Sequence, residues 1–98
     1  MFKSSSAGAL SVTKGGTGTY RNFQVQTAGS TQLTIDVSGN YGLGTTSFGG
    51  AIKALSLVTA TQAPVSTPTS AFVLFVDPAD NKLKAKGPSG TTTTLANP

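Results

Sequence analysis

The stretch AFVLFVDPADNKLKAKGPSGTTTTL, residues 71–95, decides the fold. Its first six residues are apolar, the length and composition of a fully buried strand. Turn formers follow at 77–81, where Asp77 and Asp80 are expected to cap the turn. Residues 82–86 alternate lysine with Leu83 and Ala85, which is typical of a strand. After a second turn at 87–90, the β-branched residues 91–95 predict a third strand, completing a β-meander.

The preceding half of the chain predicts a hairpin. Residues 20–26 alternate apolar with polar residues, and residues 32–37 do the same after the four-residue loop 27–30. The second strand is expected to place Leu33, Ile35 and Val37 on one face. Its other face would then carry the polar residues Gln32, Thr34 and Asp36.

The remaining segments are less regular. Residues 51–62 fit either a helical stripe or a strand, and the flanking glycines and the Val58-Thr59 pair favour the strand. Residues 63–70 contain two prolines and predict an extended strap. Residues 1–19 are rich in Ser, Gly, Ala and Thr and predict a flexible arm. We expect an all-β chain: a small antiparallel β-meander or sandwich domain over residues 20–98, with an extended N-terminal arm.

Composition limits how well such a domain can stand alone. The chain has 98 residues, of which 37% are hydrophobic and only 10% charged. A domain of this size buries a marginal core unless something else stabilises it. We therefore expect an obligate homodimer or homotrimer, or a protein that folds firmly only on a partner surface.

The residue inventory argues against catalysis. Histidine, cysteine and glutamate are all missing, which removes the common catalytic triads and the ordinary zinc ligand sets. The only side-chain carboxylates are Asp36, Asp77 and Asp80, and no base is placed to work with them. We expect a protein that is not an enzyme, with no metal, no cofactor and no small-molecule substrate. No apolar run is long enough for a signal peptide or a membrane span.

The formal net charge of +4 raises the question of an acidic partner. Among the seven cations only Lys82, Lys84 and Lys86 cluster, and no aromatic residues interleave with them as single-stranded nucleic acid binding would require. Three interpretations are open. The lysines protect an edge strand from aggregation, which is favoured; they contact an acidic protein surface; or they bind nucleic acid, which is disfavoured.

Three stretches resemble structural proteins of tailed bacteriophages. Residues 14–18, KGGTG, resemble an element common in tail-fibre proteins. Residues 33–46, LTIDVSGNYGLGTT, are similar to the Asn-aliphatic-Gly-aliphatic-Gly-Thr stretch of the same proteins, with Tyr41 at the first aliphatic position as a departure. Residues 63–95 are similar to a β-module of phage virion proteins that closes with Gly-Thr-x-Thr-x-Leu-Ala.

This resemblance implies a component of a phage particle, made in the host cytoplasm. Because tail fibres are normally long, a small β-domain with an arm is more similar to a capsid decoration (cement) protein, bound outside the major capsid protein shell. A tail, collar or head-fibre module that binds a host surface is the alternative. Contact with the partner is expected from the arm and from the cations, namely Phe2, Leu10, Val12, Arg21, Lys82, Lys84 and Lys86.

Overall fold

A computed structural model describes residues 18–98, together with two short strands near the N-terminus, β1 (Phe2–Lys3) and β2 (Ala9–Leu10). These two strands pair antiparallel, with Phe2 opposite Leu10. The described residues form strands, turns and irregular segments without a helix, so the all-β class is confirmed. Contacts divide the chain into two compact units, Met1–Ser56 and Leu57–Pro98. The single domain over residues 20–98 stays a prediction.

The first sheet contains four strands in sequential order. They are β3 (Phe23–Thr27), β4 (Ser30–Ile35), β5 (Tyr41–Leu43) and β6 (Leu55–Leu57). The strand interpretation of residues 51–62 is therefore confirmed, although the strand covers only three residues. The irregular loop 44–54, called the corner loop below, joins β5 to β6.

The predicted hairpin is present, with a tighter turn than expected. Thr27 pairs with Ser30, so the loop holds only Ala28 and Gly29. Both residues have positive φ, 50° and 78°, which is the signature of a type I′ turn. This turn twists in the same sense as the strands it joins, and the ladder therefore begins immediately on either side of it.

The second sheet is the predicted meander. Strands β7 (Val73–Val76), β8 (Leu83–Lys86) and β9 (Thr92–Ala96) pair antiparallel in that order. The expectation of a fully buried first strand is wrong. Of the run 71–76 only Phe75 is buried, while Leu74 is exposed and the side chain of Phe72 keeps 75% of its surface exposed. Only one face of this sheet is covered.

Apolar side chains are scarce in the interior of the described residues. Phe75, at 7% exposure, is the only large apolar side chain among them that is buried. The two most deeply buried side chains in the described part are both polar, Thr34 at 1% and Asn40 at 2% exposure. Both units thus leave large apolar side chains in solvent.

Candidate assembly surfaces

One face of β3, β4 and β5 is apolar apart from Thr27 and Ser30 at the hairpin end. Pairing sets Phe23 opposite Ile35 and Val25 opposite Leu33, and then Leu33 opposite Leu43 and Ile35 opposite Tyr41. Directly opposed residues share a face, because side chains alternate along a strand. We call this set the first apolar face: Phe23, Val25, Leu33, Ile35, Tyr41 and Leu43.

The first apolar face lies open to solvent. Val25, Leu43 and Tyr41 keep between 41% and 50% of their surface exposed, and the other three side chains are half-buried. Complete burial of a large apolar side chain contributes about 1.5–3 kcal/mol, so much of this favourable free energy is unrealised. The predicted third member of the row, Val37, lies beyond the end of β4 and is exposed.

The corner loop covers the opposite face of the same sheet at Thr34 and Gly42. Thr34 pairs with Gly42, and a side chain at Gly42 would collide with the backbone carbonyl of Thr45 and approach the Phe48 ring to 3.0 Å. The loop therefore lies directly against β5 and needs glycine there. Thr34 lies on the face opposite Leu33 and Ile35, as the alternation predicted, and it is buried beneath this loop.

A polar turn leads from β4 into β5. The carboxylate of Asp36 accepts hydrogen bonds from the backbone N–H groups of Ser38 and Asn40, both at 2.9 Å. Gly39 completes the turn with a φ of +81°. The Asn40 backbone bond, followed by a bond from its side-chain amide at 3.1 Å, holds the pKa of Asp36 below its ordinary value.

Asn40 ties the corner loop to this turn. Its side-chain amide donates to the carbonyl of Ala51 at 2.7 Å and accepts from the N–H of Ala54 at 2.7 Å. The N–H of Tyr41 donates to the carbonyl of Ala54 at 2.8 Å and continues the connection along the backbone. The sequence patterns did not indicate that Asn40 holds this loop in place. Its position four residues after Asp36 and two residues before Gly42 is the feature that could have pointed to it.

The second sheet also presents an open apolar face. Leu74 lies opposite Ala85 and Val76 opposite Leu83, which places all four on one side of the meander. Leu74 is exposed and the other three are half-buried. We call these four residues the second apolar face.

Lys84 and Lys86 lie on the other side of the meander, where their ammonium groups bind acceptors of the same unit. Lys84 is opposite the buried Phe75, and its ammonium binds Asp77 Oδ2 at 2.7 Å and Asp80 Oδ2 at 2.9 Å. These hydrogen bonds lower the pKa of both carboxyl groups and raise the pKa of Lys84. The other oxygen of each aspartate accepts a backbone N–H, from Ala79 and Lys82, which confirms the predicted capping of the turn.

The interpretation of the lysines as protection for an edge strand is wrong. β8 is the central strand of the meander, with β7 on one side and β9 on the other. The Nζ of Lys86 lies 3.4 Å from the carbonyl oxygen of Pro64 and donates to it, so this cation contacts the strap. Lys84 is held by two carboxylates of its own unit, which compete with any external anion.

The other predicted contact residues have different positions. The side chains of Phe2 and Leu10, and Val12 altogether, lie outside the described residues. Arg21 is exposed in the first unit and lines an open polar depression with Tyr20, Asn22 and Gln24. Lys82, half-buried, precedes β8 in the second unit. Their role in partner contact stays a prediction.

The described residues contain no grouping of three or more acidic, histidine or cysteine side chains that could hold a metal ion. Each of the three aspartates is engaged in a turn or an ion pair. No helix in the described part is long and apolar enough to cross a membrane.

Comparison with known proteins gives no relative: no protein-family model, no curated protein and no solved structure matches the chain.

Proposed function

We propose that this chain is a non-enzymatic structural protein of a tailed-bacteriophage particle. Specifically, it would act as a capsid decoration (cement) protein that binds the outer surface of the major capsid protein shell and stabilises it. The observation that carries this proposal is the pair of open apolar faces in a chain whose described residues bury one large apolar side chain. Such a chain gains most of its stability by association.

The arrangement of the polar groups supports an assembly role over a catalytic one. The carboxylates of Asp36, Asp77 and Asp80 are occupied in holding turns, and the ammonium groups of Lys84 and Lys86 bind acceptors of their own unit. A shell of repeated subunits offers many equivalent sites, so modest contacts by each copy would add up to durable attachment.

The alternative is a tail, collar or head-fibre module that binds a host surface. One observation favours it. The corner formed by Asn40, Gly42 and the loop that follows is held by hydrogen bonds of the buried Asn40 side chain and by close packing against Gly42, and it lies in the stretch that resembles tail-fibre proteins. A fibre module would form a stable oligomer in the absence of any capsid.

Reconstitution on capsids tests the proposal. Purified chain is mixed with capsids stripped of accessory proteins, and the mixture is sedimented and imaged by electron microscopy. We expect binding at a regular lattice position and a higher temperature of shell disruption. A chain lacking residues 1–18 tests the predicted arm and should lose attachment while keeping its β-sheet circular dichroism.

Two results would count against the cement function. A chain that stays in the supernatant at every capsid concentration would refute it, and adhesion of that chain to host cells would support the fibre module instead. Binding at irregular positions, or binding without any change in shell stability, would also reject stabilisation as the role.

A further inference from the structure

We propose that the first apolar face packs against the same face of a second copy of this chain. This deepens the proposed function, and it rests on the premise of that function that the chain works as an assembled component. The inference concerns Phe23, Val25, Leu33, Ile35, Tyr41 and Leu43, which the strand register places together.

The chemistry of the face selects an apolar occupant. None of its six residues carries a charge, although the chain as a whole has a formal net charge of +4. Two such faces can meet without bringing like charges together, and they leave no buried ion without a partner. A nucleic acid or an acidic surface would instead need cations on the face, and it has none.

The incomplete cover of the first sheet indicates that this occupant is a second copy of the chain. On the other side of the sheet the corner loop covers Thr34 and Gly42, and the side chains left exposed there are polar, so the first apolar face is the apolar side that remains uncovered. Small sheets need a packed hydrophobic face to be stable in water. A second copy is the one partner present wherever the chain is made, and it supplies a face of the same size and polarity.

The expected geometry is that of two sheets packed face to face. Sheets in such sandwiches lie about 10 Å apart, with side chains from both inner faces interdigitating. Leu43 and Val25 would then be shielded in the assembled form. Ile52, in the corner loop of the same unit, does not belong to this face and is strongly exposed.

Single cysteines provide a clean measurement, because the natural chain contains none. Leu43→Cys and Val25→Cys place a thiol on the face, and Ile52→Cys is the matched control in the same unit. Alkylation by N-ethylmaleimide is timed over a dilution series of each full-length variant. We expect the two face thiols to react at least about tenfold more slowly once the chain is well above its association midpoint. The control thiol should react at one rate throughout.

Sedimentation of the unsubstituted chain provides a second measurement that no substitution can disturb. It should show association over the same concentration range in which the face thiols become protected. A monomeric chain at all concentrations would overturn the inference. So would face thiols that react as fast as Ile52→Cys throughout, since the face would then be free.

Two further outcomes assign the face to another occupant and also overturn the inference. Protection that does not depend on concentration would mean that residues of the same chain cover it. Protection that arises only when stripped capsids are added would mean that the shell covers it, and the cement function would stand. Conversely, protection by the chain alone together with a failure to bind capsids would leave self-association in place and remove the cement function.

Discussion

The two units cover one face of a small sheet by different chemistry. Each has a small sheet with one partly covered face and one open apolar face. The first unit covers its sheet with the neutral amide of Asn40, which joins a turn to the corner loop. The second covers its sheet around Phe75 and places the charged group Lys84 between two carboxylates. The covered faces should therefore differ in their tolerance of added volume and in their response to pH.

The largest effect is expected at the glycine beneath the corner loop. Gly42→Ala would press a methyl group against the backbone of Thr45 and the Phe48 ring, and backbone cannot move aside cheaply. We expect a loss of about 2–4 kcal/mol in the free energy of unfolding, measured by urea denaturation.

Gly87→Ala in the second unit is the matched control for that substitution. Its methyl group would meet the ring of Phe72, and the nearest ring atom lies 2.7 Å from the added carbon. Because that ring is mostly exposed it can rotate away, and we expect a loss below about 1 kcal/mol. Equal losses at the two glycines would contradict the idea that the corner loop is the more rigid cover.

Removal of the Asn40 amide should cause the next largest loss in the free energy of unfolding. Asn40→Ala leaves the N–H of Ala54 and the carbonyl of Ala51 without their partner, at a cost of about 2–3 kcal/mol. Hydrogen exchange should accelerate at Tyr41 and Ala54 and stay unchanged in β7–β9. Asn22→Ala, at an exposed position in the same unit, is the control. Faster exchange throughout both units would show that their stabilities are coupled.

A pH titration should separate the two units on the alkaline side. The pKa of Lys84 is raised above its ordinary 10.5, so its contribution is complete below that pH and is lost as pH rises through the folded-state pKa. Two neighbouring carboxylates then face each other without a cation. We expect methyl NMR signals of Leu74 to broaden or shift there before those of Leu43.

Acid should weaken both units. The pKa values of Asp36, Asp77 and Asp80 lie below the ordinary 3.8, so these groups stabilise the fold above that pH and lose this effect as pH falls through their folded-state pKa values. Lys84→Met should remove most of the acid and alkaline response of the second unit, and Lys82→Met should leave it intact. A Lys84→Met chain with an unchanged pH profile would exclude the ion pair as its origin.

The smallest effect should be a gain in stability. The hydroxyl of Thr34 is buried and has no hydrogen-bond partner among the described residues. Thr34→Val keeps the shape of the side chain and removes this cost, so we expect the free energy of unfolding to rise by up to about 1 kcal/mol. Thr31→Val, which removes the acceptor of a bond from Gln26, should not stabilise. A destabilised Thr34→Val chain would show that the hydroxyl is satisfied in solution.

The local periodicity of the sequence was sufficient for the β3–β4 hairpin and the β7–β9 meander, but it did not predict β5 or the pairing of β1 with β2. Alternation predicted the hairpin and the meander, and the aspartates predicted the capped turn at 77–80. These features depend on neighbours in sequence. The sequence predicted a four-residue loop at 27–30, whereas the structure has a two-residue type I′ turn at Ala28-Gly29. The two-residue form depends on the twist of the paired strands, which alternation does not show.

The covered faces could not be predicted in the same way. Alternation places Thr34 on the side of β4 opposite the first apolar face, but it does not show that Thr34 is buried. Thr34 is buried because the corner loop folds back over it, held by hydrogen bonds between Asn40 and Ala51 and Ala54, which lie 11 and 14 residues further along the chain. Likewise, alternating lysines on a strand indicate a face exposed to solvent. Here that face is partly covered, because Phe75 lies opposite Lys84 and the strap contacts Lys86. Which face of a sheet is covered depends on how a distant loop folds back onto it. The periodicity of the strand residues does not contain that information.

The turn at Ala28-Gly29 has a practical consequence. Both of its residues are exposed, and its backbone already adopts the conformation that Asn-Gly favours. Foreign peptides inserted between Ala28 and Gly29 would leave the strand register and the first apolar face unchanged. The hairpin is thus a natural place to graft epitopes or affinity tags, carried at one copy for every subunit of an assembly.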